Sequence, residues 1–387
     1  AAHPALVAAC SLRPPLAKGM TPAEALLGGS RLMGPCGTIC EVRCGGGQPR
    51  PRFGRSTIEA RPRRKPRLAV LVVGHRERFL VMPTLRRVVA PAVRAGYEVD
   101  YIVSLNWEPS HLMAMDPWSQ PGVRAVPNPR TSNMSVAGFR ERVVGAARAS
   151  GAAHTHLLLF ERVRVDEALG SRLLGRSDRM APVLQNALRR MWQTEAAWNV
   201  TMHAGRGHYD RVLQTRDDIF WIRDFNISRF PDPLLKLDEN VVYSTDISGI
   251  CGAGDVGKST DRAFLTSGVA ANRLLRMYTT YFHLRDARID CSANLESFLL
   301  NAAVAHGLRW KRVSADRFPY FAACYWRSPL SPRRTEPVLC FRSQSLASLK
   351  MAPGPCILSS ELPHPFCADL ELEASARGNQ RDAPALN

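Results

Sequence analysis

The chain has 387 residues, 45% of them hydrophobic, and a formal net charge of +18, enough for one large domain or two ordinary ones with a sizeable core. No run approaches the ~18 consecutive apolar residues of a membrane-spanning helix. The ten cysteines are too scattered for a compact disulfide framework, and Cys36, Cys40 and Cys44 have no fourth ligand at zinc-finger spacing.

Residues 1–65 carry eleven Lys/Arg against three acids and end in Arg61-Pro62-Arg63-Arg64-Lys65. This Arg-rich, acid-poor composition reads as a disordered basic leader or linker, with organelle targeting as one use. Nucleic acid is not the expected partner, and a membrane is expected only through an anchor ahead of Ala1. Three sequons, at Asn133, Asn199 and Asn226, tilt the expected location toward the secretory pathway, in the ER or Golgi lumen.

Arg67–Gly74 is a continuous apolar run of the kind a strand buried on both faces shows. Phe79–Arg94 follows with helical spacing, Gly96 closes it, and Tyr97–Leu105 alternates as a second strand. Strand, helix and strand with short connections make a βαβ unit. After an irregular stretch with a short strand at Val123–Val126, a helix is expected over Ser135–Ala149 and a buried strand over His156–Phe160. Met180–Ala204 is a long amphipathic helix, Tyr209–Thr215 a strand, and Val241–Ser244 another. Long helices are expected over Arg262–Leu284 and Asn294–His306, and a last strand over Arg309–Val313. The expected architecture is α/β: a Rossmann-like three-layer sandwich with a mostly parallel sheet over residues 66–330, followed by a largely disordered tail at 331–387.

Ligands of such sheets bind outside the carboxyl ends of the strands, so chemistry is sought there. Arg216-Asp217-Asp218 ends the Tyr209–Thr215 strand. Neighbouring carboxylates recruit hard cations such as Mg²⁺ or Mn²⁺, which bridge diphosphates. Successive strand residues point to opposite faces, so one acid is expected at a metal and the other on a ribose or Arg216. The bland reading is an Arg–Asp pair that structures a strand end. The first strand closes in Gly74-His75-Arg76-Glu77-Arg78, where glycine permits close backbone approach and Arg76 or Arg78 can fork onto phosphate.

Together these segments resemble GT-A-type glycosyltransferases. A strand ends in Gly-x-x-x-Arg, a mid-domain strand ends in Arg216-Asp217-Asp218, Thr260-Asp261-Arg262-Ala263-Phe264 opens a helix, and Asn294-Leu295-Glu296-Ser297-Phe298-Leu299 precedes Gly307-Leu308 and a strand. Their order resembles a plant and algal domain of unknown function with that fold, over roughly residues 67–327. The resemblance implies a nucleotide-sugar donor and an acceptor. It places Asp217 or Asp218 on the metal–diphosphate, Asp261 as the base facing sugar or acceptor, and Glu296 as a second acid. It departs from that pattern in lacking a strict Asp-x-Asp.

Two alternatives stand beside it. Gly252-Ala253-Gly254-Asp255-Val256-Gly257-Lys258-Ser259 matches the phosphate-loop pattern of NTPases, although polar Ser244–Cys251 precedes it where a buried strand belongs. The other is a non-catalytic binding protein on a transferase fold.

Overall fold

The computed structural model describes residues 64–107, 124–161, 181–202, 208–232, 237–245, 262–284, 286, 289, 295–327, 338–341 and 357–358. All belong to the compact unit Pro62–Asn387; the unit Ala1–Arg61 holds no described residue.

The main sheet has seven strands: β1 (Arg67–His75), β2 (Glu98–Asn106), β4 (His154–Phe160), β5 (Arg211–Arg216), β7 (Val241–Ser244), β8 (Ala263–Thr266) and β9 (Arg309–Arg312), in the order β4-β2-β1-β5-β8-β7-β9. Four of the contacts, β4·β2, β2·β1, β1·β5 and β7·β9, are parallel, and β8 runs against both its neighbours. The chain is therefore α/β with a mostly parallel mixed sheet.

Why β1 lies inside the sheet follows from its sequence. Leu68, Val70 and Val72 enter one core, while Ala69, Leu71 and Val73 enter the other. A strand apolar at every position satisfies both layers at once. On the first face pack the helical segment α1, made of Val81–Thr84, Leu85–Val89 and Ala90–Arg94, and helix α2 (Val136–Ala149). On the second lie α3 (Ala181–Thr201), α4 (Gly268–Leu274), α5 (Met277–His283) and α6 (Leu295–Ala305).

Local chemistry sets the element ends. Ser135 Oγ accepts the Gly138 N–H at 3.1 Å and starts α2. Within α1, Pro91 lacks the N–H that would bond Arg87, and its ring crowds that carbonyl. The ladder widens to a π turn, with Ala90 N–H donating to Leu85 O. The carbonyl of Arg87 instead accepts from Phe225 N at 2.6 Å, so a proline defect in a helix becomes a tertiary bond.

Two expectations need correction. Arg262–Leu284 is not one helix, and Thr260–Phe264 does not open one: Ala263–Thr266 is strand β8, buried throughout. Its position between β5 and β7 overrides the helical spacing of the sequence. The helix begins only after Ser267, whose Oγ accepts from Ala270 N at 3.0 Å.

A second sheet was not foreseen. Strands β3 (Arg124–Val126), β10 (Tyr320–Arg327), β11 (Val338–Phe341) and β12 (Ile357–Leu358) pair antiparallel in the order β12-β11-β10-β3, and β6 (Ile219–Trp221) adds to β10. Two of these strands, β11 and β12, fall within 331–387, the stretch expected to be a largely disordered tail. Trp221, Phe225, Phe230, Phe318 and Tyr320 form an aromatic group here, with ring centroids 5.3–6.5 Å apart. Among the described helices none is long and apolar enough to cross a membrane.

Candidate functional site

From β1 the chain winds outward to β2 and β4, then returns to β5 on the other side of β1. The β1/β5 boundary is thus the topological switch point, and a crevice is expected outside its carboxyl ends. Gly74 and His75 end β1 there, the 3₁₀ turn Arg76–Arg78 follows, and Arg216 ends β5 beside Val73.

Asp217 N–H donates to Val73 O at 3.2 Å, which brings the Asp217 side chain over Gly74. A Cβ on Gly74 would overlap that carboxyl group, so only glycine admits the acid. His75 N–H donates to Asp217 Oδ2 at 2.8 Å; Arg78 donates through Nε to Oδ2 and through Nη2 to Oδ1, each at 2.9 Å. Asp218 takes Arg216 in the same forked manner, Nε to Oδ1 at 2.8 Å and Nη2 to Oδ2 at 2.6 Å. Arg78 Nη1 lies 3.6 Å from Asp218 Oδ2 and joins the two pairs.

The acids form the floor and the arginines the upper layer. The side chains of Asp217 and Asp218 are 0% and 1% exposed, those of Arg78 and Arg216 22% and 15%. Burial pushes the Asp217 carboxyl up from the ordinary carboxylate range, against the pull of Arg78, and the Asp218 charge adds to the rise. His75 is driven the other way, to about 3, first by burial and then by the charges of Arg78, Arg189 and Arg216. Its imidazole is therefore neutral at physiological pH, and Nδ1 is buried without a hydrogen-bond partner. The neighbouring Arg76 is buried, with its guanidinium 4.0 Å above the Trp107 ring.

Of the residues singled out in the sequence, the structure brings Gly74, Arg78, Arg216, Asp217 and Asp218 together, with Arg76 one turn away. The pairing of Asp218 with Arg216 is one of the two partners expected for that doublet. Glu296 lies in the first turn of α6, which packs on β9, α4 and α5. Strand β9 is four positions from β1, roughly 19 Å at the usual strand spacing. Asp261 and the loop Gly252–Ser259 lie outside the described residues; the next residue, Arg262, accepts the Arg216 N–H through its carbonyl at 2.9 Å. Sequence reading passed over His75, although it sits inside the quoted Gly74–Arg78 segment, and Arg189, which carries no motif signal within α3. Trp107 is not an open stacking platform, because Arg76 covers one face and Phe139 meets the ring edge-on at 5.6 Å. Trp221 is core.

As donors to a divalent cation, Asp217 and Asp218 do not fit as they stand. Each of their four carboxyl oxygens already accepts an N–H, and both groups are sealed from solvent. A different group, Glu98, Asp100 and His154, brings ligand atoms within 4.8 Å of one another at the amino ends of β2 and β4. Arg67 already spans its carboxylates, 3.1 Å from Asp100 and 3.6 Å from Glu98, and the Tyr209 hydroxyl donates to Asp100 at 2.8 Å. Among the described residues a concavity of about 400 Å³ flanks the carboxyl ends of β2 and β4, lined by Trp107, Val136, Arg140 and Leu157–Glu161.

No family model and no curated protein matches the sequence. Among solved structures the chain is similar to the apo form of mouse xyloside xylosyltransferase 1, with 9% identity, 65% of this chain and 85% of that one covered, and a TM-score of 0.32. It is also similar to a nucleoside-diphosphate-sugar pyrophosphorylase from Vibrio cholerae, with 10% identity, coverage of 66% and 94%, and a TM-score of 0.36. For the bifunctional glycosyltransferase WbbM in its apo form, identity is 8%, coverage 65% of this chain and 39% of that one, and the TM-score 0.31.

Proposed function

We propose that the chain is a nucleotide-sugar-dependent glycosyltransferase whose donor diphosphate lies at the carboxyl ends of β1 and β5. The observation that carries this reading is the arginine layer at the switch point. Arg78 and Arg216 are held there by buried carboxylates, and Arg189 adds a third charge felt at His75. Such a layer matches a group that becomes more anionic as the glycosidic bond to the nucleotide breaks. Fixed guanidinium donors aimed at the departing diphosphate stabilise that charge without reorganising during the reaction. An acceptor hydroxyl needs a carboxylate base; Asp261, next in chain to Arg262, is the candidate.

The reading is tested by incubating the full chain with a panel of nucleotide sugars, together with a panel of hydroxyl-bearing acceptors (sugars and peptides) to take the glycosyl group, and following nucleoside diphosphate release. Release from one donor, lost in Arg216→Gln and in Asp261→Asn, is the expected result. Release that is unchanged in Arg216→Gln sinks the assignment of the site. The commitment of both acids to arginines favours one second reading, a protein that binds a nucleotide sugar without turning it over; saturable binding with no release would establish it.

A further inference from the structure

The acidic doublet sits where a diphosphate-bridging cation is expected, yet its oxygens are spent on guanidinium groups. We infer that this site holds the diphosphate with arginine charge alone, Asp217 and Asp218 acting as positioning residues for Arg78 and Arg216 rather than as ligands of Mg²⁺ or Mn²⁺. The inference rests on the nucleotide-sugar reading above and names how that site supplies its positive charge.

Three observations carry it. All four carboxyl oxygens accept N–H donors, and those of Asp217 take three between them. Mg²⁺ and Mn²⁺ require oxygen ligands close at hand, so a cation here would have to strip those donors away. The Asp217 side chain cannot swing out to meet one, because it is packed against Gly74 with no solvent exposure. Cations also dominate the charges acting on His75: Arg78, Arg189 and Arg216 against Asp218. A doubly charged ion placed among them would be repelled, whereas a diphosphate would be drawn in.

The geometry also suits the anion. A forked pair with a carboxylate uses two of a guanidinium's five N–H donors; outside its fork, Arg78 Nη1 lies 3.6 Å from Asp218 Oδ2, beyond hydrogen-bond reach, and stays a donor for an anion. An arginine already fixed by a buried acid loses little rotamer freedom when an anion arrives. Arg216 is held in the same manner by Asp218.

The test is calorimetric titration of the full chain with UDP, GDP, ADP, CDP and inorganic pyrophosphate, in EDTA and again in millimolar Mn²⁺ or Mg²⁺. We expect at least one probe to bind in EDTA, with a Kd that moves less than about twofold on adding metal. Arg216→Gln should weaken it at least about tenfold. Arg189→Gln, outside both forked pairs, should weaken it less. Asp217→Asn should weaken binding by the same factor in both buffers, because it loosens Arg78 and not a metal. Binding seen only with metal, or an Asp217→Asn defect confined to the metal buffer, overturns the inference and leaves the nucleotide-sugar reading standing. Failure of every probe in both buffers overturns that reading itself.

Discussion

Charged clusters occupy both ends of the central strands, and they are built in opposite proportion. At the carboxyl ends of β1 and β5, two buried acids hold two arginines while a third arginine acts from α3. At the amino ends two arginines serve three acids: Arg67 meets Asp100 and Glu98 and lies 4.7 Å over the Tyr209 ring, and Arg64 forks onto Asp210. Similar side chains therefore do different jobs. The amino-end group closes on itself and staples β1 to β2. The carboxyl-end group lays its arginines over buried acids at the switch point, where a ligand of a parallel sheet belongs.

The contrast breaks first on stability. Asp217→Ala removes both bonds of the Arg78 fork and the acceptor of the His75 N–H, leaving Arg78 only Asp218 at 3.6 Å, and should cost about 3–5 kcal/mol. Asp100→Ala leaves Arg67 with Glu98 and should cost only about 1–3 kcal/mol. Urea unfolding of the two variants measures the difference, and the reverse order would refute the division of labour described here. A second difference concerns acid. Folded His75 titrates near 3 and the unfolded residue near 6.5. The unfolded chain thus takes up this proton first as pH falls. The stability tied to neutral His75 is complete above 6.5 and drains away between 6.5 and 3. Replacing His75 by Gln should flatten that limb in urea midpoints followed across the window; an unaltered slope would show that other groups govern it. The smallest effect belongs to a surface pair lying at neither end. Asp224, with its side chain 47% exposed, meets Arg87 at 3.1 Å and Arg94 at 2.9 Å. Asp224→Asn should move stability by less than about 1 kcal/mol, a shift that added salt would erase in a thermal melt.

Much of the framework was legible in the sequence because its signals are local. Every position of Leu68–Gly74 is apolar or small at a site buried on both sides, and Ser135 announces α2 through a hydroxyl three residues from its partner amide. What escaped was non-local. Ala263–Thr266 is too short to outvote the helical spacing around it; only its antiparallel pairing with β5 and β7 makes it a strand. The second sheet joins β3 to strands about two hundred residues later, a contact no window of sequence contains. The candidate site was half visible. Gly74, Arg78 and the Asp217–Asp218 doublet stood out as motifs, but the bond between Arg78 and Asp217 crosses 139 residues. An Arg–Asp pair at the strand end is one of the readings the doublet offers, and Arg216 with Asp218 makes it; only the grip of Arg78 on Asp217 has no signal in the spacing.

The π turn in α1 has a consequence for how this helix can be altered. Leu85–Val89 carries the widened ladder, and the Arg87 carbonyl released by Pro91 is claimed by Phe225. Substituting Pro91 with alanine invites the helix to tighten into ordinary α geometry, which would turn everything after the junction by roughly 100° for each residue of slippage. Ala92, now fully buried, would rotate out toward water, and Phe225 would lose its acceptor. A substitution that raises helical propensity on paper would then unscrew one wall of the core.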